Sequence, residues 1–212
     1  VGKPGTPENE RQWMDAGIWR YHPTKKIFEV FAEGTSNPWG FDFDEHGQLF
    51  EESCVIPHLF HMIQGGRFQR QGDEHFTINT DETARNEKSR DQKSRKTIFP
   101  YVYDDIKTIA DHVHYAGDKG PHAGNGRSAS AGGGHAHAGL LIYQGDNWPE
   151  EYRGKYFMNN IHGACINMDV PERKGSGFVG HHAPNLISFN DVWSQVINLQ
   201  TGPDGAVYMI DW

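Results

Sequence analysis

The chain has 212 residues, a formal charge of −8 and 12% aromatic residues. That aromatic content sets it apart from disordered chains, and the acidic balance excludes nucleic acid or an anionic membrane as the main partner, since both demand a basic face. No apolar run approaches the roughly 18 residues of a spanning helix, so no membrane span is expected.

Strand-like patterns dominate from the start. Ile18–His22 and Ile27–Phe31 flank the polar turn Pro23-Thr24-Lys25-Lys26, which predicts a hairpin. A second hairpin is expected in NPWGFDFDEHGQLFEESC (37–54), turning at Asp44-Glu45-His46-Gly47. Tyr103–Ala110 is the main helical candidate. A third hairpin joins Leu140–Tyr143 to Lys155–Asn159 across the loop QGDNWPEEYRG, and a fourth joins Val196–Leu199 to Val207–Ile210 across TGPDG. His181-His182 reads as an exposed loop pair, Cys54 and Cys165 as small core residues or a disulfide, and Asp204 as a turn residue. Trp39, Trp148 and Trp193 are expected in packing. Two stretches fit no strand: the charged insertion 81–96 and the Gly/Ser-rich loop 116–134.

Two of the hairpins are alike. With Gly47 placed on Gly205, residues 41–50 fall on 199–208, each an apolar strand, an Asp-containing turn, a glycine and a second apolar strand. Recurring hairpins of this kind predict an all-β fold, a partial β-propeller of about three to four blades forming one domain over 1–212. So few blades do not close most rings. The chain also opens on Val1 and stops at Trp212 within VYMIDW, so it reads as a fragment of a longer protein.

The long motifs GTSNPWGFDFDEHGQLF, GGGHAHAGLLIYQGDNWPEEYRGKYFMNNIHG, ERKGSGFVGHHAP and INLQTGPDGAVYMIDW carry a resemblance. They resemble the propeller of the PVC-type membrane-bound dehydrogenase domain proteins, which are often fused to a haem-binding CxxCH domain. Those proteins are related in turn to the soluble glucose/sorbosone dehydrogenases that use pyrroloquinoline quinone (PQQ). The resemblance implies a dehydrogenase acting on a sugar, polyol or other hydroxyl compound in the periplasm or another exported location, with electrons passing to a cytochrome c-type domain. This chain has no CxxCH, so haem c belongs to a domain outside it. The cofactor stays open. PQQ with Ca²⁺ is what the resemblance implies, and Asn37 matches its motif. Ser36, however, stands where the family has the cofactor-binding arginine, and Cys54-Val55-Ile56 where it has Gln-Gly-Pro. A non-catalytic propeller that binds a glycan or a protein partner is the alternative.

The candidate chemistry centres on GGGHAHAG. In an extended segment His135 and His137 share a face. In Asp111-His112-Val113-His114 the two histidines likewise share a face, with Asp111 pointing away. Imidazoles so paired suit Zn²⁺ or another transition metal, which makes His112, His114, His135 and His137 the candidate metal ligands. The plainer reading is that these histidines end strands and bond loop backbone. On the dehydrogenase reading Asn37, His135 and His137 are the catalytic candidates. A histidine takes the hydroxyl proton while hydride leaves the carbinol carbon for an organic cofactor. Asn159, Asn160 and His162 are candidates for binding substrate hydroxyls, or else for pairing with loop backbone.

Overall fold

The structure, a computed structural model, describes residues 1–11, 14, 16–54, 57–70, 103–112, 136–191 and 193–212. These fall into two compact units. The first joins Val1–Thr35 to Ile63–Ile106. It holds one sheet of β1 (Gly17–His22), β2 (Ile27–Gly34), β6 (Gly66–Phe68) and β7 (Tyr103–Ile106), in the order β1-β2-β6-β7. The β1–β2 hairpin turns where the sequence places it, with His22 opposite Ile27. The expected helix over Tyr103–Ala110 does not form. Tyr103 and Ile106 pair instead with Gly66 and Phe68 of β6, so the ladder takes up the backbone groups that a helix would have satisfied internally.

The second unit, Ser36–Met62 and Lys107–Trp212, is a run of antiparallel sheets. β3 (Pro38–Phe43), β4 (Leu49–Ser53) and β5 (Leu59–Met62) form the first. A four-stranded meander follows: β8 (His137–Ile142), β9 (Tyr156–Asn160), β10 (Cys165–Lys174) and β11 (Gly177–Ser188). β12 (Val196–Thr201) and β13 (Val207–Asp211) form the last. The opening strands of successive sheets lie side by side. The Ile142 amide donates to Asp42 Oδ2 on β3 at 2.8 Å. A Cβ on Gly40 would sit 2.5 Å from the Leu140 nitrogen, and one on Gly139 2.6 Å from the Asn198 Cα. This is blade-to-blade packing, and the fold is an all-β partial β-propeller. Among the described residues no helix is long and apolar enough to cross a membrane.

The repeat seen in the sequence holds bond for bond. In the β3–β4 turn the Gly47 amide donates to the Asp44 carbonyl and the Asp44 amide to the Gln48 carbonyl. In the β12–β13 turn Gly205 donates to Gly202 and Gly202 to Ala206, the same pattern 158 positions later. Gly47 and Gly205 both take the left-handed conformation, at φ 74° and 78°. Asp204 serves the turn as expected, accepting from the Ala206 amide at 3.1 Å and the Tyr208 hydroxyl at 2.9 Å.

The first two strands of the meander, β8 and β9, are buried on both faces. Leu140, Ile142, Tyr156 and Met158 pack with Phe50 and Leu59 of the first sheet. Leu141, Phe157 and Ile166 pack with Val196 and Leu199 of the last. Each such side chain contributes about 1.5–3 kcal/mol by leaving water. Trp148 joins the second cluster, stacked on Tyr143 with ring centres 4.6 Å apart. Trp39 and Trp193 do not pack as expected among the described residues; they lie 54% and 82% exposed, Trp39 on the same face of β3 as the exposed Phe41 and Phe43. Cys165 is a buried core residue, Cys54 is half-buried, and both are free thiols.

Gly139→Ala is expected to cost about 2–4 kcal/mol, since the new methyl meets the Asn198 backbone in a left-handed conformation. Gly47→Ala, with the same sign of φ and open space around it, is expected to cost about 1 kcal/mol. Urea midpoints at unchanged slope measure both.

Candidate functional site

The meander's face against the first sheet carries one polar cluster. Register starts it. On β10, Asp169 lies opposite Tyr156 of β9 and His182 of β11. Directly opposed residues of an antiparallel pair share a face, so His182 is turned toward Asp169. Its Nδ1 stands 4.0 Å from Asp169 Oδ1. His181 and His182 are therefore strand residues, not the expected loop pair. Gly175, at φ 63°, allows a two-residue turn between Lys174 and Gly177, and β10–β11 extends past it as a long hairpin.

His58 comes from the facing sheet. Its carbonyl accepts from the Ser53 amide at 2.8 Å, which closes the β4–β5 connection and turns the ring inward. His58 Nε2 lies 3.3 Å from Asp169 Oδ2, and neither side chain has any exposure. His137, the first residue of β8, stacks on His58 with ring centres 4.7 Å apart and planes at 25°. The His137 amide donates to the Cys54 carbonyl at 3.1 Å.

His112 arrives on an edge segment. The Gly180 amide donates to the Ile109 carbonyl and the Asp111 amide to the Gly180 carbonyl, which lays residues 109–111 along β11. His112 Nε2 then stands 3.0 Å from Asp169 Oδ1. Its Nδ1 is 3.0 Å from Asp111 Oδ1, so Asp111 does not point away from His112 as an extended DHVH would require: the segment bends here. Asp111 Oδ2 contacts His181 Nδ1 at 2.5 Å, and His181 Nε2 contacts Glu172 Oε2 at 2.8 Å. The result is one continuous line, Glu172–His181–Asp111–His112–Asp169–His58, from the surface to a fully buried imidazole.

The electrostatics follow from this order. Burial alone would raise the Asp169 pKa, but His112 and His58 outweigh it and hold the carboxyl well below the usual range. Burial opposes charge on His112, and the flanking carboxylates of Asp169 and Asp111 overcome it, so His112 is raised. His182 is lowered, first by burial and then by the neighbouring His112. His181, near the surface, is raised by Glu172 and Asp111.

The other sequence candidates lie in several places. His114 and His135 fall outside the described residues. Asn37, at φ 59°, accepts from Trp39 Nε1 at 2.9 Å through its side chain and from the Cys54 amide at 2.9 Å through its carbonyl. Asn159 and Asn160 are buried on β9. Asn159 Nδ2 donates to the Ala138 carbonyl at 2.8 Å, and Asn160 Oδ1 accepts from the Gly163 amide at 2.9 Å. His162 is half-buried in the turn after β9. Of the expected metal set, the structure brings His112 and His137 into one cluster around His58 and Asp169. Neither His58 nor Asp169 stands out in the sequence: each has apolar residues on both sides, and 111 positions separate them.

A separate groove of about 670 Å³ runs along the opening strands, lined among others by Asp42, Gly139, Gln144, Asn198, Gln200 and Thr201. Its volume lies in the range of small-molecule sites. The usual quinone contacts do not fit here. Ser36 is buried with its amide directed at Ser53 Oγ, 3.4 Å away, and its short side chain cannot replace an arginine. No step through PQQ is assigned to this chain.

Two outcomes follow from the buried carboxylates. Asp169→Asn removes the charge that the histidines face and is expected to cost about 3–5 kcal/mol in urea unfolding. Glu52 is the opposite case. Fully buried, its carboxyl is pushed well up by burial and then by neighbouring Glu51, against a smaller contribution from the Gly139 backbone. The unfolded chain ionises there near pH 4.5 while the folded chain holds its proton, so this group's contribution to stability falls as pH rises above 4.5. Glu52→Gln is expected to stabilise the protein by about 1–3 kcal/mol at pH 7, with the gain vanishing below pH 4.5 in a pH series of melts.

None of the curated proteins compared with this chain matches it. Among solved structures, it is similar to the soluble aldose sugar dehydrogenase of Escherichia coli in its apo-form, at 12% identity and a TM-score of 0.48, over 86% of this chain and 44% of that one. It is also similar to an oxidoreductase described as a glucose dehydrogenase from Thermus thermophilus, at 15% identity and a TM-score of 0.45, over 85% of this chain and 40% of that one. The chain thus spans less than half the length of either structure. A family model described as a domain of unknown function, DUF7133, matches residues 3–212, and the chain belongs to that family.

Proposed function

We propose that this chain is the propeller portion of a dehydrogenase-like oxidoreductase that acts on a sugar or another hydroxyl compound. The observation that carries the reading is the line of alternating carboxylates and imidazoles from His58 to Glu172. Oxidation of a carbinol releases a proton as hydride departs, and an enzyme must take that proton and dispose of it. A histidine backed by a carboxylate, itself connected to solvent through further histidines and carboxylates, performs both tasks. A substrate meets this line at its partly exposed imidazole, His112, since His58 and Asp169 have no exposure; the groove along β3, β8 and β12, lined by none of these groups, is a second polar surface for a ligand rich in hydroxyls. On this reading His137, with His135, and Asn37 place or polarise the substrate, and Asn159, Asn160 and His162 assist its binding. The hydride would pass to an organic two-electron acceptor, whose electrons then leave one at a time for a c-type haem domain outside this chain, in a periplasmic or exported protein.

The test is reduction of an artificial electron acceptor by the whole protein in the presence of aldoses and polyols. Substrate-dependent reduction is expected, and Asp111→Asn, which interrupts the proton line without touching the groove, is expected to lower kcat about 100-fold with little change in KM. If the folded protein binds glycans or a protein but reduces no acceptor with any of these compounds, the binding-propeller alternative replaces this reading.

A further inference from the structure

We propose that His58, His112 and Asp169 bind a divalent transition-metal ion of the zinc type, held between the first sheet and the meander. The ligand atoms of these three residues all lie within 4.8 Å of one another. Zinc bonds to imidazole nitrogen and carboxylate oxygen of about 2.0–2.2 Å in a tetrahedron put ligand atoms roughly 3.3–3.6 Å apart. Each imidazole stands at about this distance from the carboxylate, His58 3.3 Å from Oδ2 and His112 3.0 Å from Oδ1, while the set with one atom per residue spans up to 4.8 Å and must contract onto the ion. The two imidazoles address different oxygens of the one carboxylate, His58 facing Oδ2 and His112 facing Oδ1, so the three side chains converge from two sheets and an edge segment. Rotation of the two imidazoles and of the carboxylate toward a common point would complete the site.

Three further features suit a metal. One carboxylate surrounded by imidazoles in a dry interface is costly to bury by itself, and a divalent cation at its centre offsets that cost. His112 presents Nε2 to the site while Asp111 holds its Nδ1, the outer arrangement that fixes a ligating histidine in the required tautomer. His182 leaves a fourth position on the more open side, its side chain 22% exposed. The His-x-His pairs of the sequence supply only His112 to this set. The other two ligands come from a sheet connection and a mid-strand position. The site does not depend on any dehydrogenase activity, since metal binds whether or not a sugar is oxidised.

The test uses the full chain, dialysed against a chelator and returned to chelator-free buffer. Zn²⁺ is titrated in competition with a chromophoric chelator, and Co²⁺ separately with visible absorption as the readout. One equivalent of Zn²⁺ is expected to bind, with Co²⁺ giving the intense visible bands of a four-coordinate ion. Asp169→Asn and His112→Ala are each expected to weaken Zn²⁺ by about 100-fold or more, and Asp111→Asn by about 10–100-fold. His46→Ala, on the exposed β3–β4 turn, is expected to leave it unchanged. Zn²⁺ is also expected to raise the thermal midpoint of the parent protein but not of His112→Ala. If Asp169→Asn does not fold, His112→Gln, at the more open end of the site, carries the comparison. Absence of stoichiometric binding by the folded parent overturns the proposal. So does binding by the folded His112 variants as tight as the parent's.

Discussion

Leu140 and Leu141 point to opposite faces of one sheet, and both are buried. The rest of the second unit depends on that constraint. A strand buried on both sides needs a sheet in front of it and another behind, and short antiparallel sheets satisfy this when their opening strands are brought into backbone contact. Gly40 and Gly139 make the approach feasible, because a side chain at either would collide with the neighbouring strand's backbone. Tight packing at these strands then leaves the inter-sheet space farther out to be filled by side chains.

That space is filled unevenly. Around Phe50, Tyr156 and Met158 it is apolar, and along the same face it gives way to Asp169, His58 and His112. Polar groups so placed lose most of their water, Asp169 and His58 all of it, and must satisfy one another. The carboxylate does so by facing several imidazoles, and the outer histidines by facing Asp111 and Glu172. One dry interface thereby acquires a connection to solvent that an apolar core would lack. Proton movement and metal binding are the two uses such a connection offers. They differ in what occupies the centre: a shared proton between His112 and Asp169, or a cation coordinated by both.

The hairpins were legible because their signals are local. Alternating aromatic and β-branched residues, Pro and Gly at turns, and the repeat 158 residues apart each specify geometry within a few positions, and the turns at Gly47 and Gly205 share the same pair of backbone bonds. The helix expected at Tyr103 failed because a neighbouring strand claimed its backbone. The loop expected at His181-His182 failed because the chain needs only the two residues 175 and 176 to turn, and the hairpin continues through both histidines. Trp39 and Trp193 show the same limit from the other side. Their size suggests burial, but Trp39 falls on the face of β3 that also leaves Phe41 and Phe43 exposed, and strand pairing, not residue size, decides which face that is.

The sequence by itself determined the all-β class, the places of four hairpins and their turns, the repeated turn and the histidine-rich character of the segments around 112 and 137, since each follows from short-range periodicity and composition. Only the tertiary structure decided that Asp169 and His58 meet, that His182 faces them, and that Asp111 bends back onto His112. Those contacts join a sheet connection, an edge segment and two strands, and their partners are 13 to 111 residues apart except for the Asp111–His112 pair. No local pattern encodes such pairings. They arise when the burial of two faces of one sheet fixes which neighbours each strand must have.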